Sequence, residues 1–320
     1  MTPHQKVVTV VGGTGFLGAY VVRELTKLGY TVRVISRDPE RALHLKTAGH
    51  IGQVVLQKGD ITRPETLEGK LEGSYAVINL VGIMLERGHN SFSAVHAQGA
   101  EKLAKCAQKC GAARFIHISA VGVNKSQNSK YARSKATGEK AVKAAFERAS
   151  ILRPSVMFGP NDVFYHRFAA MASLSPAIPL IGGGKTRFQP VYVGDVARAI
   201  VHVLENDATA GQTYELGGPR VYTLREVVEY TLMQISKKRW LMSVPFSLAS
   251  LCALPAKLLP HPPITGDQVQ LLKYDNVVDR EAKTLADLEI SATPVEMIMP
   301  KYLQRYRKNL LHGGKTAQAH

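Results

Sequence analysis

Tyr131 and Lys135 stand four residues apart in Tyr131-Ala132-Arg133-Ser134-Lys135. In a helix that spacing puts both side chains on one face. A lysine ammonium placed there can hold the sugar hydroxyls of a bound cofactor and lower the phenol's pKa, making the tyrosine a proton donor to a carbonyl. In isolation such a pair arises by chance. Here it follows an apolar strand, Phe115-Ile116-His117-Ile118-Ser119, and precedes the segment that begins Leu152-Arg153-Pro154.

A nucleotide site is written at the start of the chain. Val7-Val8-Thr9-Val10-Val11 runs straight into Gly12-Gly13-Thr14-Gly15-Phe16-Leu17-Gly18, and an amphipathic helix continues through Leu28. Gly12 lets the backbone turn sharply off the strand. Gly15 removes the Cβ that would keep a pyrophosphate from the amides at the helix N-terminus, and Gly18 lets that helix pack closely on the sheet. A second strand, Tyr30 to Ile35, comes about twenty residues on, the context in which a glycine triplet becomes informative. The residue ending this second strand selects the nucleotide, because a carboxylate there accepts from ribose hydroxyls while a cation neutralises a 2′-phosphate. The chain places Ser36 and Arg37 at that point. The planar guanidinium favours NADP(H) over NAD(H). Asp38 argues the other way, and a surface ion pair is the competing role for Arg37.

The elements that must hold these residues alternate through the first half. Strands are expected at 6–11, 30–35, 53–57, 75–80 and 113–118, with helices at 16–28, 38–48, 64–70, 91–110 and 130–147. This is an α/β pattern: a Rossmann-like, doubly wound parallel sheet, followed by a smaller, mostly helical C-terminal domain. The expected boundary separates a nucleotide-binding domain, 1–236, from a docking region with a basic tail, 237–320. Hydrophobic residues make up 45% of the 320, enough for a full core. The net charge of +16 calls for an acidic partner, either anionic lipid or an acidic protein surface. Basic residues are not interleaved with aromatic ones, so no nucleic acid is expected. Cys106, Cys110 and Cys252 form no metal or redox motif, which predicts no metal site and a reducing compartment. About five residues precede the first strand, and no presequence is expected, which fits a bacterial cytosol.

The glycine spacing resembles the extended and atypical short-chain dehydrogenase/reductase superfamily, and the segment from Leu152 to Pro160 resembles that superfamily's nicotinamide-side loop. The resemblance implies roles for further residues. Asp60, in Gly59-Asp60-Ile61, would lie near the adenine amino group, although Gly59-Asp60 is also a common turn pair. Leu80-Val81-Gly82 would end the fourth strand beside the adenosine. Ser119 aligns with a structural serine, so the superfamily's active-site Ser or Thr falls at Ala120. A missing hydroxyl of that kind costs about two orders of magnitude or more in rate at comparable sites. Ser119 is the one candidate to replace it.

Four later segments narrow the resemblance: Phe164 to Ala169, Pro176 to Leu180, Gln189 to Val196, and Leu285 to Pro294. With them, nearly the whole chain is similar to the NADPH-binding accessory subunits of respiratory complex I, NADH:ubiquinone oxidoreductase, and to an alphaproteobacterial type of them. The implication is a nucleotide held for structure and not turned over, on the cytoplasmic face of a bacterial inner membrane. The retained Tyr131 and Lys135 favour instead a free NADP-dependent reductase or epimerase acting on a small carbonyl or nucleotide sugar. A redox-sensing binding module is a third reading.

The C-terminal third supplies a means of attachment. Lys237-Lys238-Arg239-Trp240 leads into an apolar stretch, Leu241 to Leu259, that Pro245, Pro255 and Pro260 interrupt too often for a spanning helix. Basic residues and a tryptophan beside short apolar helices suit a membrane interface or a groove on a membrane subunit. A buried helix pair is the alternative.

Overall fold

The computed structural model describes residues 6–256 and 264–307. The first half alternates as its periodicity predicts through α3, and β6 then adds a strand that was not among those expected: β1 (Val7–Val11), α1 (Phe16–Lys27), β2 (Thr31–Ser36), β3 (Val54–Lys58), β4 (Ser74–Asn79), α2 (Ala100–Lys109), β5 (Arg114–Ile118), α3 (Lys130–Ala145) and β6 (Ser150–Pro154). Then come β7 (Met157–Phe158), α4 (Phe164–Leu174), β8 (Ala177–Ile181), β9 (Arg187–Phe188), β10 (Val191–Tyr192), α5 (Val193–Glu205) and β11 (Thr213–Leu216). The described chain closes with β12 (Tyr222–Thr223), α6 (Leu224–Gln234), β13 (Trp240–Val244), α7 (Phe246–Ala256), α8 (Gly266–Leu271) and α9 (Val295–Leu303).

Seven strands form one parallel sheet in the order β11-β6-β5-β4-β1-β2-β3. Consecutive residues of β1 bury themselves on both faces, Val8 and Val10 beneath α1 and α5, Val11 beneath α2. That is why the strand reads as a continuous apolar run without alternation. The strand order reverses between β1 and β4, and a crevice opens beyond their carboxyl ends.

Three expected helices take other forms. The segment expected at 38–48 is wound as 3-10 turns from Glu40, and that at 64–70 keeps one such turn, Pro64–Thr66. The one expected at 91–110 starts as a wide π turn, Ser93–Gly99, before α2. There the carbonyl of His96 meets α3 so closely that a Cβ on Gly138 would lie 1.9 Å from its oxygen.

The apolar stretch after residue 240 is also corrected. Its first residues form a strand, β13, because they pair in parallel with β8 some sixty residues earlier, Trp240 opposite Ala177 and Val244 opposite Ile181. Helix α7 follows, and Leu258 and Leu259 lie outside the described residues. Helix α8 returns to the first half of the chain: the Asp267 carboxylate accepts from the Ser129 hydroxyl (2.8 Å) and from the backbone amides of Lys130 (2.6 Å) and Tyr131 (3.2 Å). A carboxylate at those orphan amides also complements the helix dipole, so the C-terminal segment fixes where α3 begins.

Candidate nucleotide-binding site

The site grows from the turn after β1. Gly12 has φ +84° and donates its amide to the Ile35 carbonyl at 2.9 Å, joining the turn to the end of β2. Helix α1 starts at Gly15 with no side-chain cap and no acidic residue in its first turn. Its first amides and positive dipole end are thus open to an anion. A Cβ on Gly18 would sit 2.3 Å from the Gly13 carbonyl oxygen, so only glycine permits this helix to press against the turn.

Ten of the residues singled out from the sequence converge on one cleft of about 250 Å³: Gly12, Thr14, Gly15, Ser36, Arg37, Asp60, Ile61, Leu80, Val81 and Gly82. Its walls are the ends of β1 to β4, as the strand reversal requires. The Ser36 hydroxyl is buried without a hydrogen-bond partner, a donor and acceptor that a ribose or phosphate oxygen would satisfy. Asp38 pairs with Arg41 at 2.9 Å, which takes its charge away from Arg37. One Asp60 oxygen accepts from the Thr62 amide and hydroxyl, so the turn and a place in the cleft wall coexist there. Glycine amides, an unpartnered hydroxyl and a guanidinium form a donor set that fits a dinucleotide with its pyrophosphate on α1.

The remaining candidates stand apart from this cleft wall. Leu17 belongs to the core and Phe16 packs edge-on against Tyr20. The Pro154 carbonyl accepts from the Val121 amide, and the Ser119 hydroxyl is buried with no hydrogen-bond partner. Lys135 reaches the cleft's edge, its Nζ 3.4 Å from where a Cβ on Gly82 would be.

That ammonium donates to the Ile118 carbonyl at 2.9 Å. Burial pulls its pKa down to about 8, against a weaker upward pull from Glu139. Glu139 is itself held by Arg153 through two bonds, 2.9 and 2.6 Å, and Arg153 also reaches Glu215. The expected lowering of the phenol by Lys135 does not occur. Burial, and secondarily Asp267, push Tyr131 up to about 12.

His96 was not singled out from the sequence. Its Nε2 accepts from the Ile83 amide at 3.0 Å, and its Nδ1 lies 2.9 Å from the Ser134 hydroxyl, which donates to the Tyr131 carbonyl. Those partners assign the proton to Nδ1 of a neutral ring. Burial, then the Lys135 charge, hold its pKa down to about 3. The ring stacks on Phe92 and meets Tyr131 edge-on, tying the start of the loop after β4 to α3. Positions 92 and 96 carried one readable signal, the four-residue spacing of Phe92 and His96.

A doubly wound sheet, a glycine turn at the strand reversal and a Tyr–Lys pair beside it define a dinucleotide-binding protein of the short-chain reductase class. The profile of the NAD dependent epimerase/dehydratase family matches residues 8–217. The chain is 37% identical over 322 residues to the mitochondrial NADH dehydrogenase (ubiquinone) 1 alpha subcomplex subunit 9 of Arabidopsis thaliana, covering 97% of this chain and 80% of the relative. It is 34% identical over 302 residues to the mitochondrial NADH-ubiquinone oxidoreductase 40 kDa subunit of Neurospora crassa, with 94% and 80% covered. The fold matches that of a dTDP-glucose 4,6-dehydratase from Streptomyces venezuelae with a TM-score of 0.72 at 21% identity, over 95% of this chain and 97% of that one. The chain therefore belongs to the NAD dependent epimerase/dehydratase family, and within it to the group that includes these two NADH dehydrogenase subunits.

Proposed function

We propose that this chain is an accessory subunit of a membrane-bound NADH:ubiquinone oxidoreductase, respiratory complex I, and that it holds NADP(H) without turning it over. The observation that carries the reading is the similarity, over 94% or more of the chain, to two subunits named for that enzyme. Arg37 at the end of β2, with Asp38 engaged by Arg41, supports NADP(H) over NAD(H). When bound, the nicotinamide supplies a hydride donor or acceptor. Around it this chain offers little to move a proton: Tyr131 is pushed up to about 12, Ala120 stands where the superfamily's hydroxyl is expected, and Ser119 is buried. What these residues do is hold and orient, Lys135 at the cleft's edge and the α1 amides at the pyrophosphate.

We place the protein peripherally on the cytoplasmic face of a bacterial inner membrane, against complex I subunits and the anionic lipid surface. Among the described residues no helix is long and apolar enough to cross a membrane. Support for attachment comes from β13 and α7, where Trp240 is 78% exposed and Met242, Leu248 and Leu251 are also exposed, beside Lys237, Lys238 and Arg239.

The test is native electrophoresis of gently solubilised membranes, followed by extraction of the nucleotide. The protein should migrate with complex I and release NADP(H), and Arg37→Asp should deplete NADP(H) far more than it weakens NAD(H). Migration as a free protein, with carbonyl-dependent NADPH oxidation abolished by Tyr131→Phe, would establish the reductase reading in its place.

A further inference from the structure

Beside Arg37 the cleft is closed by a residue from a different element. After β4 the chain makes a tight hairpin, Arg87-Gly88-His89-Asn90, in which the amides of Arg87 and Asn90 each donate to the other's carbonyl, at 3.1 and 2.9 Å. Gly88 takes the turn at φ +52°. The loop is fastened at both ends: the Ile83 amide donates to His96, and the Phe92 amide donates to the Glu86 carboxylate at 2.8 Å. The hairpin is thereby held to the structure rather than left to sway over the cleft.

At its end, Asn90 accepts from Arg37 Nη1 through Oδ1 at 3.1 Å, and both residues line the cleft. A guanidinium only donates, so this bond fixes which way the amide faces. The Asn90 oxygen is spent on Arg37, and its NH₂ is left to donate elsewhere. The contact also restrains an arginine that would otherwise keep most of its rotamer freedom and lose it on binding.

We propose that Asn90 is a second residue determining specificity for the phosphate at the adenosine ribose, holding the Arg37 guanidinium in place and offering its own amide N–H₂ to the same phosphate monoester. The inference rests on the NADP(H) reading above and extends it to a residue 53 positions away from Arg37 in the chain. Ser36, Arg37 and Asn90 together then form a three-sided donor set drawn from β2 and the β4 loop. A carboxylate in place of Asn90 would pair with Arg37 and face the phosphate with a negative charge.

The experiment is calorimetric titration of the full-length protein, stripped of nucleotide, with NADPH and NADH separately, for the wild type, Asn90→Ala, Asn90→Asp and Arg37→Ala. Asn90→Ala should weaken NADPH about tenfold, the value of one hydrogen bond to a charged group, and Asn90→Asp about a hundredfold or more. Both should leave NADH within about threefold, which also shows that the variants are folded. If Arg37→Ala loses NADPH but both Asn90 variants bind it as the wild type does, the role of Asn90 is overturned while the NADP(H) reading stands. If Arg37→Ala and the Asn90 variants all retain wild-type preference, the NADP(H) reading itself falls, and the role of Asn90 with it.

Discussion

Lys135→Met should make the nucleotide-free protein more stable at neutral pH, although it removes a charged residue and a hydrogen bond. The ammonium is 4% exposed, and its strongest nearby acid, Glu139, is committed to Arg153. Burial displaces the pKa from 10.5 to about 8, which at 1.36 kcal/mol per pH unit means that folding with this lysine charged costs about 3 kcal/mol. Methionine fills nearly the same volume without a charge. Losing the bond to the Ile118 carbonyl returns about 1 kcal/mol, leaving a net gain of about 2 kcal/mol. Because the folded pKa lies below the unfolded one, the unfolded chain binds the extra proton between about pH 8 and 10.5. The wild type therefore gains stability as pH rises through that window, and the advantage of the variant, full below about pH 8, is gone by about pH 10 and slightly reversed above it, where the remaining charge penalty is smaller than the lost bond. Urea denaturation of both proteins at pH 7 and pH 10 measures the difference, and titration with NADPH should show weaker binding by the variant. A variant less stable than the wild type at pH 7, or a difference that does not change with pH, would refute the account of Lys135 as a strained, function-serving charge.

Gly138→Ala tests packing against propensity. Alanine in a helix interior ordinarily gains about 1 kcal/mol over glycine, yet here its Cβ would fall 1.9 Å from the His96 carbonyl oxygen, a backbone atom that cannot swing aside. Thermal unfolding should therefore show a loss of about 2 kcal/mol or more, and an unchanged or raised midpoint would mean that α3 and the π turn separate easily. Leu248→Asp with Leu251→Asp tests attachment: the side chains are 49% and 63% exposed, and burying the remainder is worth about 1–2 kcal/mol each, independent of salt. Wild-type protein should stay on salt-washed membranes and the double variant should appear in the soluble fraction, folded and still holding nucleotide. Unfolding of the variant would show that α7 is core, and loss of the wild type in salt would show that attachment is electrostatic alone.

The sequence by itself determined the nucleotide turn, the alternation of strands and helices through α3, and the Tyr131–Lys135 face. Each of these is encoded within a few residues, by a glycine's backbone freedom or by side-chain periodicity, and survives whatever the rest of the chain does. Helix form at 38–48, 64–70 and 93–99 was not so determined, since those segments yield to the surfaces they cover. Only the tertiary structure decided that residues 240–244 are a strand, because the pattern of a short apolar run is shared by helix and strand and the deciding partner, β8, lies far away in sequence. The same holds for Asp267 at the start of α3, Asn90 against Arg37, and the ring of His96 with its proton on Nδ1. The pKa of Tyr131 belongs with them: spacing put a lysine one turn away, but burial and then Asp267 from the C-terminal segment set the phenol. Contacts of this kind follow from loop closure and burial across the whole fold, and no local spacing carries them.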